Sequence, residues 1–80
     1  MSREDFKNLP LHKKIQKLYI DGTFVVAIRY YSYKVNLYLL GTDYVEVFYN
    51  HKLDKIDKID FLNREHTRMK FYLDQINISI

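Results

Sequence analysis

The chain of 80 residues contains no cysteine, one proline and two glycines. Without cysteine it forms no disulfide and offers no thiolate ligand to a metal. With only Gly22 and Gly41, it has no glycine-rich loop to cradle a phosphate. No apolar run approaches the roughly 18–20 residues that a membrane-spanning helix needs. The opening MSREDFKNLP is polar and mixed in charge, unlike a secretory leader, so the expected location is the cytoplasm with no membrane partner.

Catalytic groups are equally sparse. Ser2, Ser32 and Ser79 fall in a terminus, a turn and a tail, and no G-x-S-x-G elbow is present. His12, His51 and His66 include no i, i+4 pair and no H-E-x-x-H or EF-hand pattern. His51 with Asp54 and Asp57 is the nearest approach to a metal cluster, and a solvated turn explains it as well. The sequence therefore predicts no enzyme, no metal, no cofactor and no evident small-molecule substrate.

What is present is a folded-protein composition: 48% hydrophobic, 29% charged, and 16% aromatic with eight tyrosines. A chain this short buries only about 60–65% of its extended surface, so good packing or a second copy must supply the margin. Charge is uneven. Residues 1–20 hold five basic side chains against two acids, whereas the remainder balances eight against eight. The whole net charge of +3 thus sits at the N-terminal end. Lys13, Lys14 and Lys17 form the basic face of the first helix, which serves either as a solvated surface or as a nucleic-acid contact.

The pattern predicts a single α+β domain over 1–80: an N-terminal helix, a three- to four-stranded antiparallel meander and a C-terminal helix. Helix one covers residues 10–20, with Pro10 in its first turn and an apolar stripe of Leu11, Ile15, Leu18 and Tyr19. Gly22 ends it in a positive-φ conformation. Phe6 tucks an upstream turn against the same core. Strands follow at about 23–31, 34–40 and 44–50. The repeat of Leu53, Ile56, Ile59 and Leu62 reads as a helical turn or as a fourth strand over 55–61. Threefold spacing and aspartates favour the strand. Asn63 offers a cap for a second helix over 64–75, followed by an alternating tail, Asn77-Ile78-Ser79-Ile80, that either frames the sheet edge or frays.

Register can be read from alternation. A first turn at Ser32-Tyr33 pairs Ile28 with Leu37, and a three-residue loop, Gly41-Thr42-Asp43, pairs Leu37 with Val47. One face then holds Phe24, Val26, Ile28, Tyr30, Val35, Leu37, Leu39, Val45, Val47 and Tyr49, with no charge. Both helices are expected to pack there. The opposite, mixed face carries Arg29, Tyr31, Lys34, Asn36, Tyr38, Glu46 and Phe48, the candidate binding residues. On it Glu46 accepts a hydrogen bond from Tyr38 and pairs with Arg29, either as a structural network or to orient a ligand. Aromatic and arginine content suits a protein partner or a homo-oligomer, through this face or a free strand edge. A stacking platform for single-stranded nucleic acid is the alternative, although Glu46 opposes phosphate and no RNP-like sequence occurs.

Leu9-Pro10, Lys13-Lys14, Gly22-Thr23-Phe24, Arg29-Tyr30-Tyr31, Tyr33-Lys34-Val35-Asn36-Leu37-Tyr38, Val45-Glu46-Val47, Ile56 with Ile59, and Tyr72-Leu73 with Ile76 resemble a family of short uncharacterised bacterial proteins. The resemblance spans residues 9–76, implies a single cytoplasmic domain, and carries no activity or functional residue with it.

Overall fold

The computed structural model of this chain describes residues 2–62, Lys70 and Tyr72. Its first element, α1 (Arg3–Lys7), is a short capped helix that gives form to the expected upstream turn. The Ser2 hydroxyl accepts the Asp5 N–H at 3.1 Å, and Asp5 accepts the Ser2 N–H at 3.4 Å, a reciprocal capping box. This holds Phe6, only 2% exposed, against the sheet.

Helix α2 spans Leu11–Asp21. Pro10 stands just outside it as the N-cap residue, in extended backbone, rather than within its first turn. At the other end, Gly22 is extended as well (φ −86°, ψ 155°), which corrects the positive φ expected there. The glycine is required for a different reason: a Cβ at this position would lie 2.6 Å from the Leu18 carbonyl oxygen. The chain turns from helix to strand so tightly that no side chain fits.

Four strands follow, β1 (Thr23–Tyr30), β2 (Tyr33–Leu40), β3 (Asp43–Asn50) and β4 (Lys55–Phe61), in sheet order 1-2-3-4 with every pair antiparallel. The ambiguous repeat over 55–61 is thus a strand. The architecture is α+β, as the hydrophobic pattern indicates. Lys70 and Tyr72 have helical backbone. The rest of the helix expected over 64–75, and the tail after it, lie outside the described residues.

Both hairpins turn in two residues. Tyr31-Ser32 joins β1 to β2, and Gly41-Thr42 joins β2 to β3, with Tyr31 (φ 55°) and Gly41 (φ 64°) each in the left-handed region at the first turn position. The first turn differs from the expected Ser32-Tyr33 by one position. Ile28 consequently faces Val35 rather than Leu37, and faces are unchanged because the partner moves by two residues. The second turn is one residue shorter than expected. Leu37 therefore faces Glu46, and every β3 side chain changes sides.

Two faces result, and each has its own core. On one face the cross-strand rows are Arg29–Lys34–Tyr49–Ile56, Ala27–Asn36–Val47–Ile59 and Phe24–Tyr38–Val45–Phe61. Phe6 of α1 and Leu18 of α2 pack there on Val45, Val47 and Ile59, so this is the helix face. On the other, the rows are Tyr30–Tyr33–Asn50–Lys55, Ile28–Val35–Phe48–Lys58 and Val26–Leu37–Glu46–Asp60. Leu62 and Tyr72 pack on its centre. The expectation that both helices share one charge-free face is therefore corrected: α1 and α2 lie on the helix face, and Tyr72 on the opposite one. Phe24 also changes sides, because an irregularity at Val25 slips the β1 register between Phe24 and Val26.

The two sheet edges differ in chemistry. β4 carries exposed Lys55, Asp57, Lys58 and Asp60 along its length, a charge pattern that discourages further pairing. β1, TFVVAIRY, has Arg29 as its one charge. Among the described residues β1 pairs with β2 alone.

Candidate functional site

The residues expected to form one binding face are divided between two. Arg29, Lys34, Asn36 and Tyr38 lie on the helix face, whereas Glu46 and Phe48 are buried on the Tyr72 face at 0% and 2% exposure. Tyr31 occupies the first turn and is 89% exposed. Glu46 consequently lies on the opposite face of the sheet from both Tyr38 and Arg29. It accepts the Tyr72 hydroxyl at 2.7 Å instead, as part of the core.

Helices α1 and α2 cover only part of the helix face. Between α2 and the sheet lies an open hollow of about 280 Å³, lined by Ile15, Tyr19, Phe24, Tyr38, Val47 and Ile56 among others. Its rim is unusually apolar for solvent. Tyr19, in the last turn of α2, is 89% exposed, and Phe24, at the start of β1, is 53% exposed. The spacing Leu11–Ile15–Leu18–Tyr19 places this stripe correctly on one side of α2, but only Leu18 reaches the core, at 3% exposed. Phe24 meets Tyr38 edge to face, with ring centroids 5.6 Å apart. Clustered exposed aromatic and aliphatic side chains of this kind mark contact sites on small proteins.

Beyond the hollow, the helix face becomes cationic. Arg29 and Lys34 face each other across β1 and β2, and His51 joins them around a second cleft. Among the described residues neither Arg29 nor Lys34 is in an ion pair, in contrast to Arg3 with Asp43, Lys17 with Asp21 and Lys58 with Asp60. Tyr49 stands beside Lys34 in the same row, and its ring meets His51 edge to face at 5.5 Å. Of the basic helix residues, Lys13 is exposed, Lys14 is half-buried, and Lys17 is bound to Asp21 one turn along α2. None of the three lines the cleft around Arg29 and Lys34.

The loop 51–54 is organised by side chains. Asn50 Oδ1 accepts the N–H groups of Lys52 and Leu53 at 3.0 and 3.2 Å, and Asn50 Nδ2 donates to Asp57 at 3.2 Å. The Tyr49 hydroxyl donates to Asp54. That hydrogen bond, with burial and the Asp54 charge, holds the Tyr49 phenol above the usual tyrosine range. Tyr33 is raised likewise, first by its hydrogen bond to Asp57, then by the Asp57 charge and by burial. These pairings engage Asp54 and Asp57, and among the described residues no group of three or more metal-ligating side chains assembles. No helix of the described residues is long and apolar enough to cross a membrane.

No protein-family model, curated protein or solved structure matches this chain. Alternation missed the hollow because Phe24 was counted into the core. Ile20 was the available signal: at about 100° per residue it falls on the side of α2 opposite the Leu11–Ile15–Leu18 stripe, and it is left 76% exposed.

Proposed function

We propose that this chain is a small non-enzymatic binding protein that acts by protein–protein contact, with the apolar hollow between α2 and β1 as its docking surface. The observation that carries this reading is the exposure of Tyr19 and Phe24, both of which line the hollow. Removing such side chains from water at an interface supplies on the order of 25 cal/mol per Å² of apolar area. Tyrosine and phenylalanine are also the residues that interfaces favour. Tyr19→Asp combined with Phe24→Asp tests it: both positions are exposed, so the fold should survive, as judged by circular dichroism. Binding of a protein partner, whether another protein or a second copy, should be lost. Retention of that binding at wild-type affinity defeats the reading.

A second reading rests on a separate observation, the facing pair Arg29–Lys34, which has no carboxylate in ion-pair contact among the described residues. Next to Tyr49 and His51, it suits the backbone and bases of single-stranded nucleic acid. Arg29→Ala with Lys34→Ala should then weaken oligonucleotide binding and flatten its salt dependence. An unchanged salt slope rules this reading out.

A further inference from the structure

We infer that the partner is a second copy of this chain, and that two copies join β1 to β1′ into a continuous eight-stranded antiparallel sheet about a two-fold axis at Ile28. The inference rests on the protein-contact reading above, specifies its partner, and extends the contact from the hollow to the β1 edge, with Phe24 common to both.

The argument begins with the backbone. Tyr30 and Tyr33 flank a two-residue turn, so they form the closing hydrogen-bonded pair of the hairpin. Antiparallel ladders alternate, so the next such pairs are Ile28–Val35 and Val26–Leu37. The N–H and C=O groups of Ala27 and Arg29 then point away from β2, towards the side of β1 on which no strand pairs among the described residues. Those groups are satisfied by water or by another strand.

The chemistry of the edge selects the strand. A register centred on Ala27 would set Arg29 against the irregular Val25 of the other copy. One centred on Arg29 would set two guanidinium groups face to face. Centring on Ile28 avoids both, and pairs Ala27 with Arg29′ and Arg29 with Ala27′. All the outward groups of these two residues are then hydrogen-bonded. It also keeps the faces continuous, with Ile28 beside Ile28′ and Val26 beside Tyr30′. Phe24 comes to the turn of the other copy, next to Tyr31′. Both rings are exposed in the single chain, and Tyr31 occupies left-handed backbone that disfavours a bulky side chain. Contact across the two-fold gives that costly conformation a use. The assembly also closes: after β1 is consumed, both outer edges are β4, guarded by Lys55, Asp57, Lys58 and Asp60.

Light scattering on the eluting full chain should give twice the 9.8 kDa chain mass. Ala27→Pro removes one outward N–H and leaves the β1–β2 hydrogen bonds in place, so this variant should elute at the mass of one chain with an unchanged far-ultraviolet spectrum. Hydrogen exchange on the wild-type chain gives a measurement independent of any variant. The Ala27 and Arg29 amides should be protected at high protein concentration and lose that protection on dilution. A wild-type monomer, a dimer that survives Ala27→Pro, or a dimer whose Ala27 and Arg29 amides exchange freely each overturns the inference. If the chain is a monomer but binds a different protein through Tyr19 and Phe24, this inference falls and the protein-contact reading stands. If no protein of any kind binds, both fall.

Discussion

The Tyr72 hydroxyl donates to Glu46 Oε2 at 2.7 Å, joining residues 26 positions apart across the Tyr72 face. Both side chains are at 0% exposure, and they sit among Ile28, Val35, Leu37 and Phe48. A carboxylate in such surroundings is tolerated only with donors aimed at it. Tyr72→Phe removes one of them and keeps the ring. Equilibrium denaturation should report a loss of about 1–3 kcal/mol, the usual cost of depriving a buried acceptor. A cost near zero would show that the hydroxyl does not hold Glu46 in place.

Gly22→Ala should be more damaging than its chemistry suggests. Ordinary helix-end glycines owe their place to positive φ, whereas here the backbone is extended and the obstacle is the Leu18 carbonyl, 2.6 Å from the new Cβ. That oxygen also accepts the Gly22 N–H at 2.9 Å, so relieving the clash strains the last bond of α2. The expected loss is roughly 1–3 kcal/mol, similar to overpacking in a core. A thermal melt unchanged from wild type would contradict this account of the junction.

Tyr31→Asn should act in two directions. Asparagine tolerates the left-handed backbone at φ 55° better than tyrosine does, so the isolated fold should gain up to about 1 kcal/mol. The edge-to-face contact with Tyr30, at 4.7 Å between centroids, is the part that would be lost. Self-association should weaken at the same time. Denaturant midpoints and the concentration dependence of the mass separate the two effects.

Alkaline pH should weaken the fold through Tyr33 and Tyr49. Both phenols are raised in the folded state by hydrogen bonds to Asp57 and Asp54 respectively. A raised folded value means that the folded state holds the proton more tightly. The stabilisation is therefore complete below the ordinary tyrosine value of about 10 and disappears as pH rises through the higher folded values. Asp57→Asn removes the charge beside Tyr33, and the ring signals of that tyrosine should then titrate earlier. An unshifted Tyr33 titration would dismiss Asp57 as the cause.

The sequence made the elements and their order legible because each carries a strong local signal. Pro10 and Gly22 bracket α2, Gly41 marks a turn, and alternation from Thr23 to Asn50 requires strands. Faces were harder, since they depend on the parity of one short turn. The composition of Gly41-Thr42-Asp43, a glycine with two short polar residues, suits a three-residue loop, and that loop leaves Glu46 out of a charge-free face. The protein instead buries Glu46 and satisfies it from Tyr72, a residue whose distance in sequence hides the pairing. Arg29, Lys34, Asn36 and Tyr38 stayed together because they all lie in β1 and β2, where the misplaced turn left parity intact. Phe24 was lost to a local slip at Val25 that periodicity does not register.

The two-residue turn at Gly41-Thr42 has a consequence for how this chain can change in length. Exposed hairpin tips ordinarily accept insertions at small cost. Here a single added residue, accommodated by shifting the pairing, would rotate β3 by half a turn. Glu46 would be driven under α2, and Val45 and Val47 would leave Leu18. The loop at 51–54 is under less constraint, because it is held by Asn50 and already adjoins an irregular pairing, in which Phe48 faces Lys58 but Tyr49 faces Ile56. Length variation among any descendants of this sequence should accumulate after Asn50 and be purged at Gly41.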